Sequence, residues 1–159
     1  MNNMAIYNNT IVDQKTGHVH FPRHVATTLI NVYAYNNIFY GDLESSSFPD
    51  ATGYGYNASG GGGTAGGMNE QTGLRNSIFA NYAGHDYRLA YATAPGLKLT
   101  GLSWWNDTPD AFYGQLDYDT DMYGKLRGAD GIWDRGAYEF VGGVVGRPHP
   151  VAPSNIRVQ

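Results

Sequence analysis

At 159 residues, 42% hydrophobic and only 15% charged, the chain is long enough for one domain with a core and too weakly charged for a disordered one. Ten basic against 14 acidic residues give a net charge of -4 with no run of like charge, which excludes the clustered basic surface that a nucleic-acid reader needs. Cysteine is absent, which excludes disulfides, thiolate nucleophiles and Cys-ligated zinc, while 22 glycines and 13 tyrosines favour short strands between tight turns, so an all-β domain is expected.

Met1-Asn2-Asn3-Met4 has neither the basic start nor the apolar run of a signal peptide, and no stretch is apolar for long enough to cross a bilayer. No membrane insertion is expected. Residues 5–12 read as a strand, 13–17 as a turn and 18–21 as a second strand, which Pro22 should end because proline cannot donate to a ladder. A β-branched and aromatic run over 26–34 follows, and no segment sustains a helical period.

Tyr7-Asn8-Asn9-Thr10-Ile11-Val12 recurs 28 residues later as Tyr35-Asn36-Asn37-Ile38-Phe39-Tyr40, and more weakly as Leu74-Arg75-Asn76-Ser77-Ile78-Phe79. Asn9, Asn37 and Asn76 align in these copies. Asparagine tolerates the left-handed backbone of a sharp corner, and its amide can bond the copy above and the copy below, so stacked copies would form an internal ladder. Asn-Asn is also a common turn dipeptide, and that plainer reading stands beside the ladder. Residues 41–71, with Gly60-Gly61-Gly62-Gly63 and Gly66-Gly67, depart from the repeat and read as a loop insertion.

Three constellations have chemical content. His18 and His20 are two apart and would share a strand face, with Lys15, Arg23 and His24 nearby; two imidazoles need a third ligand for zinc, for which Asp13 or Asp42 is placed. Asp42 and Glu44 also form an acid pair beside the insertion. The alternative is a solvated strand face. Asp117, Asp119 and Asp121 alternate like the opening of a calcium loop, but Met122 stands at the sixth position and Gly128 at the twelfth, so a turn whose acids bond amides or Arg127 is the competing reading. Trp104 and Trp105, beside Asn106 and Asp107, suit sugar stacking or the covering of an open core end, and Tyr33 and Tyr35 make one strand face aromatic.

The second half carries a resemblance. Asn76-Ser77-Ile78-Phe79-Ala80-Asn81, Gly84-His85-Asp86-Tyr87-Arg88-Leu89 and Ala94-Pro95-Gly96-Leu97 resemble, in turn, the Asp-Pro-Leu-Phe-Val-Asn, Gly-Gly-Asp-Tyr-His-Leu and Ser-Pro-Ala-Ile stretches of right-handed parallel β-helix repeat proteins of the pectate-lyase-like kind. Asp134-Arg135-Gly136-Ala137-Tyr138-Glu139, approached through Asp119, Gly124 and Arg127, resembles their Asp-Ile-Gly-Ala-Tyr-Glu closing strand. Lys98 stands where that family has an acid and Arg135 where it has isoleucine. Arg135 therefore needs an acid or solvent, with Asp117 and Asp119 as partners. With the opening repeats included, the resemblance covers most of residues 5–140.

It implies a right-handed parallel β-helix over 1–141, of about three coils with Tyr138 in the closing strand, and an exit linker over 142–159. Within that linker, residues 150–158 resemble the first strand of a fibronectin type III module. The function implied is a secreted or cell-surface module that binds polysaccharide or another surface without its own catalysis. Two alternatives remain open: a polysaccharide lyase or glycoside hydrolase fragment drawing on His18, His20, His24, Asp42 or Glu44, and a structural protein associating through an uncapped N-terminal coil. Tyr33, Tyr35, Trp104 and Trp105 are the glycan-binding candidates. Calcium, through Asp117, Asp119 and Asp121, is the cofactor suggested.

Overall fold

A computed structural model describes residues 2–12, 18–19, 30–43, 53–62, 64–99, 119–140 and 142. The expected turn at 13–17, Pro22, and the linker beyond 142 lie outside the described residues. Among the described residues, eleven strands and one short 3-10 turn make up the regular structure: β1 (Asn2–Tyr7), β2 (Thr10–Val12), β3 (His18–Val19), β4 (Ile30–Tyr35), β5 (Ile38–Tyr40), β6 (Asp42–Leu43), β7 (Gly53–Gly55), β8 (Ala58–Gly60), β9 (Gln71–Leu74), η1 (Asn76–Ile78), β10 (Phe79–Asn81) and β11 (Asp86–Leu89). The fold is all-β.

Three sheets are parallel, with orders β1-β4-β7, β2-β5-β8-β9 and β3-β6, and β10 pairs with β11 in an antiparallel hairpin. Up to β8, each strand of a parallel sheet pairs with the one three places later. The register keeps like with like: Tyr7 lies opposite Tyr35, Thr10 opposite Ile38, and Ile38 opposite Ala58. No helix among the described residues is long and apolar enough to cross a membrane.

The corner joining the first sheet to the second is the repeated unit. Asn8, Asn36, Tyr56 and Asn69 hold φ of 53°, 56°, 51° and 53°, the left-handed region where asparagine is tolerated better than most residues. The next residue in the first three rungs is Asn9, Asn37 or Asn57. Asn37 Oδ1 accepts the backbone N–H and the Nδ2 of Asn9 at 3.1 and 3.0 Å, and Asn57 Oδ1 accepts the same two groups of Asn37 at 3.0 Å each. Asn37 Nδ2 also reaches back to Ile6 O at 2.9 Å, and Asn57 Nδ2 to Ala34 O at 3.1 Å. The column thus binds each rung to the next through side chain and backbone together.

The expected third member of this column is corrected. Asn76 is exposed and lies in η1, where it stacks on nothing in the ladder, and Asn57 takes its place. The described residues within 41–71 are likewise not a loop. They supply β6, β7 and β8 and lead into a fourth rung, in which Met68 bridges Gly55 and β9 pairs with β8. Glycine is required at 55 because a Cβ there would come within 2.6 Å of Met68 O. Rung contact, not loop flexibility, accounts for that residue.

Side chains alternate across the second sheet, and both of its faces are covered, as parallel sheets require. Phe39 and Ala34 are fully buried on one side with Ala65, and Ile6, Ile11 and Tyr54 pack around them. On the other side Ile38 and Ala58 meet Leu74, Ile78, Phe79 and Leu89, with Val12, Tyr40 and Tyr138 at the margin. The hairpin β10–β11 is therefore a cover for the outer face.

Asn37→Ala would leave the buried amide and carbonyl groups of two neighbouring rungs without partners, at roughly 1 to 3 kcal/mol for each unsatisfied group. A loss of about 3 kcal/mol or more is expected in urea denaturation, against about 0.5 kcal/mol or less for exposed Asn76→Ala. Equal losses at the two positions would contradict the ladder assignment.

Candidate functional site

The best-defined cluster of polar groups surrounds residues 133–140, which lie across the rungs rather than forming the expected closing strand; no described strand pairs with them. Ala137 N donates to Thr10 Oγ1 in the first rung at 2.9 Å, Gly136 N to Asn36 O in the second at 2.7 Å, and the Arg135 Nη1 to Asn57 O in the third at 2.7 Å. Three consecutive residues lace three consecutive rungs. The approach is close enough that a Cβ on Gly136 would meet Thr10 Oγ1 at 2.6 Å and Ile38 Cδ1 at 2.7 Å, and φ is 92° there, so only glycine fits. A neighbouring segment joins in: Asn36 grips Leu97 through both its N–H and its C=O at 2.7 Å, and Gly96 N donates to Trp133 O at 2.7 Å.

Arg135 finds carbonyls where an acid was expected. Its guanidinium donates to Asn57 O, Ala94 O and Pro95 O at 2.7, 3.0 and 2.9 Å, and the residue is only 3% exposed. The backbone carbonyl of Asp119 accepts the amide of Arg127 at 2.6 Å, and Asp117 lies outside the described residues. Burial lowers the guanidinium pKa from its usual height, yet arginine remains charged at any working pH.

Asp121, Asp134 and Glu139 bind this segment to itself and to its surroundings. Asp134 is fully buried; its Oδ1 accepts the N–H and O–H of Thr93 at 2.7 and 3.0 Å, and its Oδ2 accepts Phe140 N at 2.9 Å. Asp121 accepts the amides of Tyr123 and Lys125 on one oxygen, at 2.8 and 2.9 Å, and of Glu139 on the other, at 3.1 Å. Glu139 Oε1 accepts Asp134 N at 3.2 Å and pairs with Arg127 at 3.3 Å. Arg127 also donates to Gly136 O and Ala137 O at 3.1 and 2.9 Å.

Burial, then the neighbouring Asp134 carboxylate, push the Glu139 carboxyl up to about 7 against the opposing pull of Arg127. Burial likewise raises Asp134. Shifted acids of this kind often mark function, but the Glu139 side chain is only 5% exposed and all its described partners are structural. Asp121 is engaged by three amides, and among the described residues no group of three or more His, Cys, Asp or Glu side chains stands at metal-binding spacing.

Of the other sequence candidates, the structure brings one pair together. His18 and Asp42 are register partners in the β3–β6 pair, while His20, His24, Glu44, Trp104 and Trp105 lie outside the described residues. Tyr33 and Tyr35 are half-buried on β4, and Tyr35 packs against Leu99 and Trp133, which raises its phenol pKa through burial.

A more open cluster, missed from sequence, lies beside residues 133–140. Arg88 Nε donates to both oxygens of Asp86 at 2.8 and 3.1 Å, its guanidinium carbon lies 6.0 Å from the Tyr123 ring centroid, and Tyr123 stacks on Tyr138 at 5.7 Å. The available signal was the alternation Asp86-Tyr87-Arg88-Leu89, which sets an acid and a base on one face of β11 with Tyr87 and Leu89 on the other. No family model, curated protein or solved structure matches this chain.

Glu139 makes stability depend on pH with a definite sign. Its folded pKa lies above the unfolded one, so its contribution is fully present below the ordinary glutamate range and is lost as pH rises through about 7. The melting temperature should fall as pH rises from about 4.5 to about 7 and level off above that, and Glu139→Gln, which cannot ionise, should flatten that slope. A slope unchanged in the variant would assign the dependence to another group.

Proposed function

We propose that the parallel rungs are C-terminal coils of a right-handed β-helix, and that this region of a secreted or cell-surface protein binds glycans or a chemically similar surface without a reaction of its own. The strand order, the corner column and the right-handed preference of parallel crossovers support the architecture.

One observation supports the functional half: a division of labour among polar groups. The buried ions Asp121, Asp134, Glu139, Arg127 and Arg135 are engaged with backbone and with one another, as scaffolding requires. The Asp86–Arg88 pair and Tyr123 are instead partly open to solvent beside Tyr138. Rings flanked by a carboxylate and a guanidinium match what sugar recognition uses, an apolar ring face with hydroxyl partners at its edge.

Affinity electrophoresis against a polysaccharide panel that includes uronic-acid polymers is the test, with parallel assays for unsaturated and reducing ends. Retardation by at least one polymer without product is expected, and Tyr123→Ala should weaken it several-fold while leaving the melting temperature within a few degrees. Product formation would establish the carbohydrate-active enzyme in its place. Absence of any retardation would remove the binding role.

A further inference from the structure

The charges of the open cluster are already matched to each other. Arg88 and Asp86 lie two apart on β11, whose pairing with β10 sets Asp86 opposite Asn81 and Leu89 opposite Phe79. Arg88 Nε donates to both oxygens of Asp86 at 2.8 and 3.1 Å, Nη2 donates to Oδ2, and the Arg88 amide donates to Oδ1 at 3.2 Å. One forked edge of the guanidinium is thus closed by an acid of its own strand, in the bidentate arrangement that would otherwise capture a carboxylate from outside. The pair is also sheltered. Its side chains are 26% and 13% exposed, so salt and solvent weaken it less than an ion pair on the open surface.

The surroundings add acid rather than base. Burial first, then Tyr123, Asp86 and Asp121, raise the phenol pKa of Tyr138, and Arg88 is the group that opposes them. Two carboxylates therefore stand against one guanidinium around the stacked rings. Asp121 is held in place by the amides of Tyr123, Lys125 and Glu139. Arg127 faces Glu139 at 3.3 Å and donates to Gly136 O and Ala137 O, which turns its charge inward. Between residues 119 and 128 the other cation is the exposed Lys125, and Asp119 offsets it.

We propose that this cluster selects neutral glycans, and that Asp86 is the residue that turns uronic-acid polymers away. Selectivity of this kind rests on the binding role proposed above and narrows its ligand class. Tyr123, 37% exposed and stacked on Tyr138, offers ring surface to the C–H face of a sugar. Beside it the ion pair presents a closed dipole. Hydroxyl groups donate and accept, so they can meet either end of that dipole. An ionised sugar carboxylate only accepts, and it would have to displace Asp86 from Arg88 or lie beside two carboxylates without a counter-charge. A repulsive element set against one class of ligand is a general route to specificity.

Polymer chemistry sharpens the contrast. Every sugar of a polyuronate carries a carboxylate, so sliding the chain by one residue brings no relief, whereas a neutral chain offers its ring face at each step. Salt softens the repulsion between incoming carboxylates and the cluster, since the screening length is about 8 Å at physiological ionic strength. Discrimination is therefore greatest at low salt.

Equilibrium binding of the full chain to immobilised polymers tests this, with a β-glucan and a galactomannan as neutral probes and polygalacturonate and alginate as acidic ones. At low salt, wild type should bind at least one neutral polymer about ten-fold or more tighter than either acidic one. Asp86→Asn keeps the shape of the side chain and removes its charge, so the ratio of acidic to neutral affinity should rise about ten-fold and the gain should fade with salt. Adding Arg88→Gln should return that ratio toward the wild-type value. Thermal melts check that the variants fold; if Asp86→Asn does not, the wild-type ranking decides alone. Equal or tighter wild-type binding to an acidic polymer would overturn the selectivity and leave the binding role standing, whereas binding to neither class would remove both. A folded Asp86→Asn with an unchanged ratio would overturn the assignment to Asp86.

Discussion

A left-handed corner followed by asparagine is the constraint on which the rest depends. Between Tyr7 and Thr10 the chain must turn from one sheet into another within two residues, and the turn recurs at 36, 56 and 69 with φ between 51° and 56°. Placing a polar amide inside that turn would be unfavourable for a single rung, because its donors and acceptors would be buried without partners. Stacking removes the difficulty, since each amide becomes the partner of the next, and it also fixes register. A slip by one residue would break every bond of the column and turn the strands' inward side chains outward.

Residues 133–140 answer a different problem. Parallel rungs are joined only to their neighbours, so nothing local resists peeling of the first from the third. A segment crossing all three through Thr10, Asn36 and Asn57 couples them directly. Trp133, Tyr138 and Phe140 pack on the apolar clusters, and the coupling is made by two backbone amides together with buried charge: a guanidinium on three carbonyls and carboxylates on amides. Desolvating such ions is expensive unless nearly every lone pair and proton is engaged, which accounts for the density of backbone hydrogen bonds around Asp121, Asp134 and Arg135. Glu139 sits where that compensation is least complete, with Asp134 opposing Arg127.

The first two corners were legible because both carry Asn-Asn between a tyrosine and an apolar run at one fixed spacing. The third was hidden by two changes at once. Tyr56 occupies the left-handed position in place of asparagine, at a cost of about 1 kcal/mol, and the interval drops from 28 residues to 20. Glycines packed against the adjoining rung look the same in sequence as glycines in a loop, and Asn76, followed by Ile78 and Phe79, imitated the repeat. Arg135 was legible as an anomaly but not in its solution, because backbone carbonyls leave no trace in composition. The Asp86, Arg88 and Tyr123 cluster was illegible for a further reason: it joins β11 to a loop more than thirty residues away.

The interior changes its chemistry from rung to rung. Corners at 8, 36, 56 and 69 follow at intervals of 28, 20 and 13 residues, and the inward side chain changes with them. Ile11 and Phe39 give way to Ser59 at the same position of the second sheet. A serine facing inward needs an acceptor, and Glu70 supplies it at 2.8 Å while also taking the amide of Ala65. The acid that follows the fourth corner thus satisfies a buried hydroxyl and an amide with one carboxylate. An asparagine there could offer the same carbonyl acceptor, but its shorter side chain reaches one bond less far. Glutamate at 70 follows from that reach: its longer side chain meets the polar group that faces inward at Ser59.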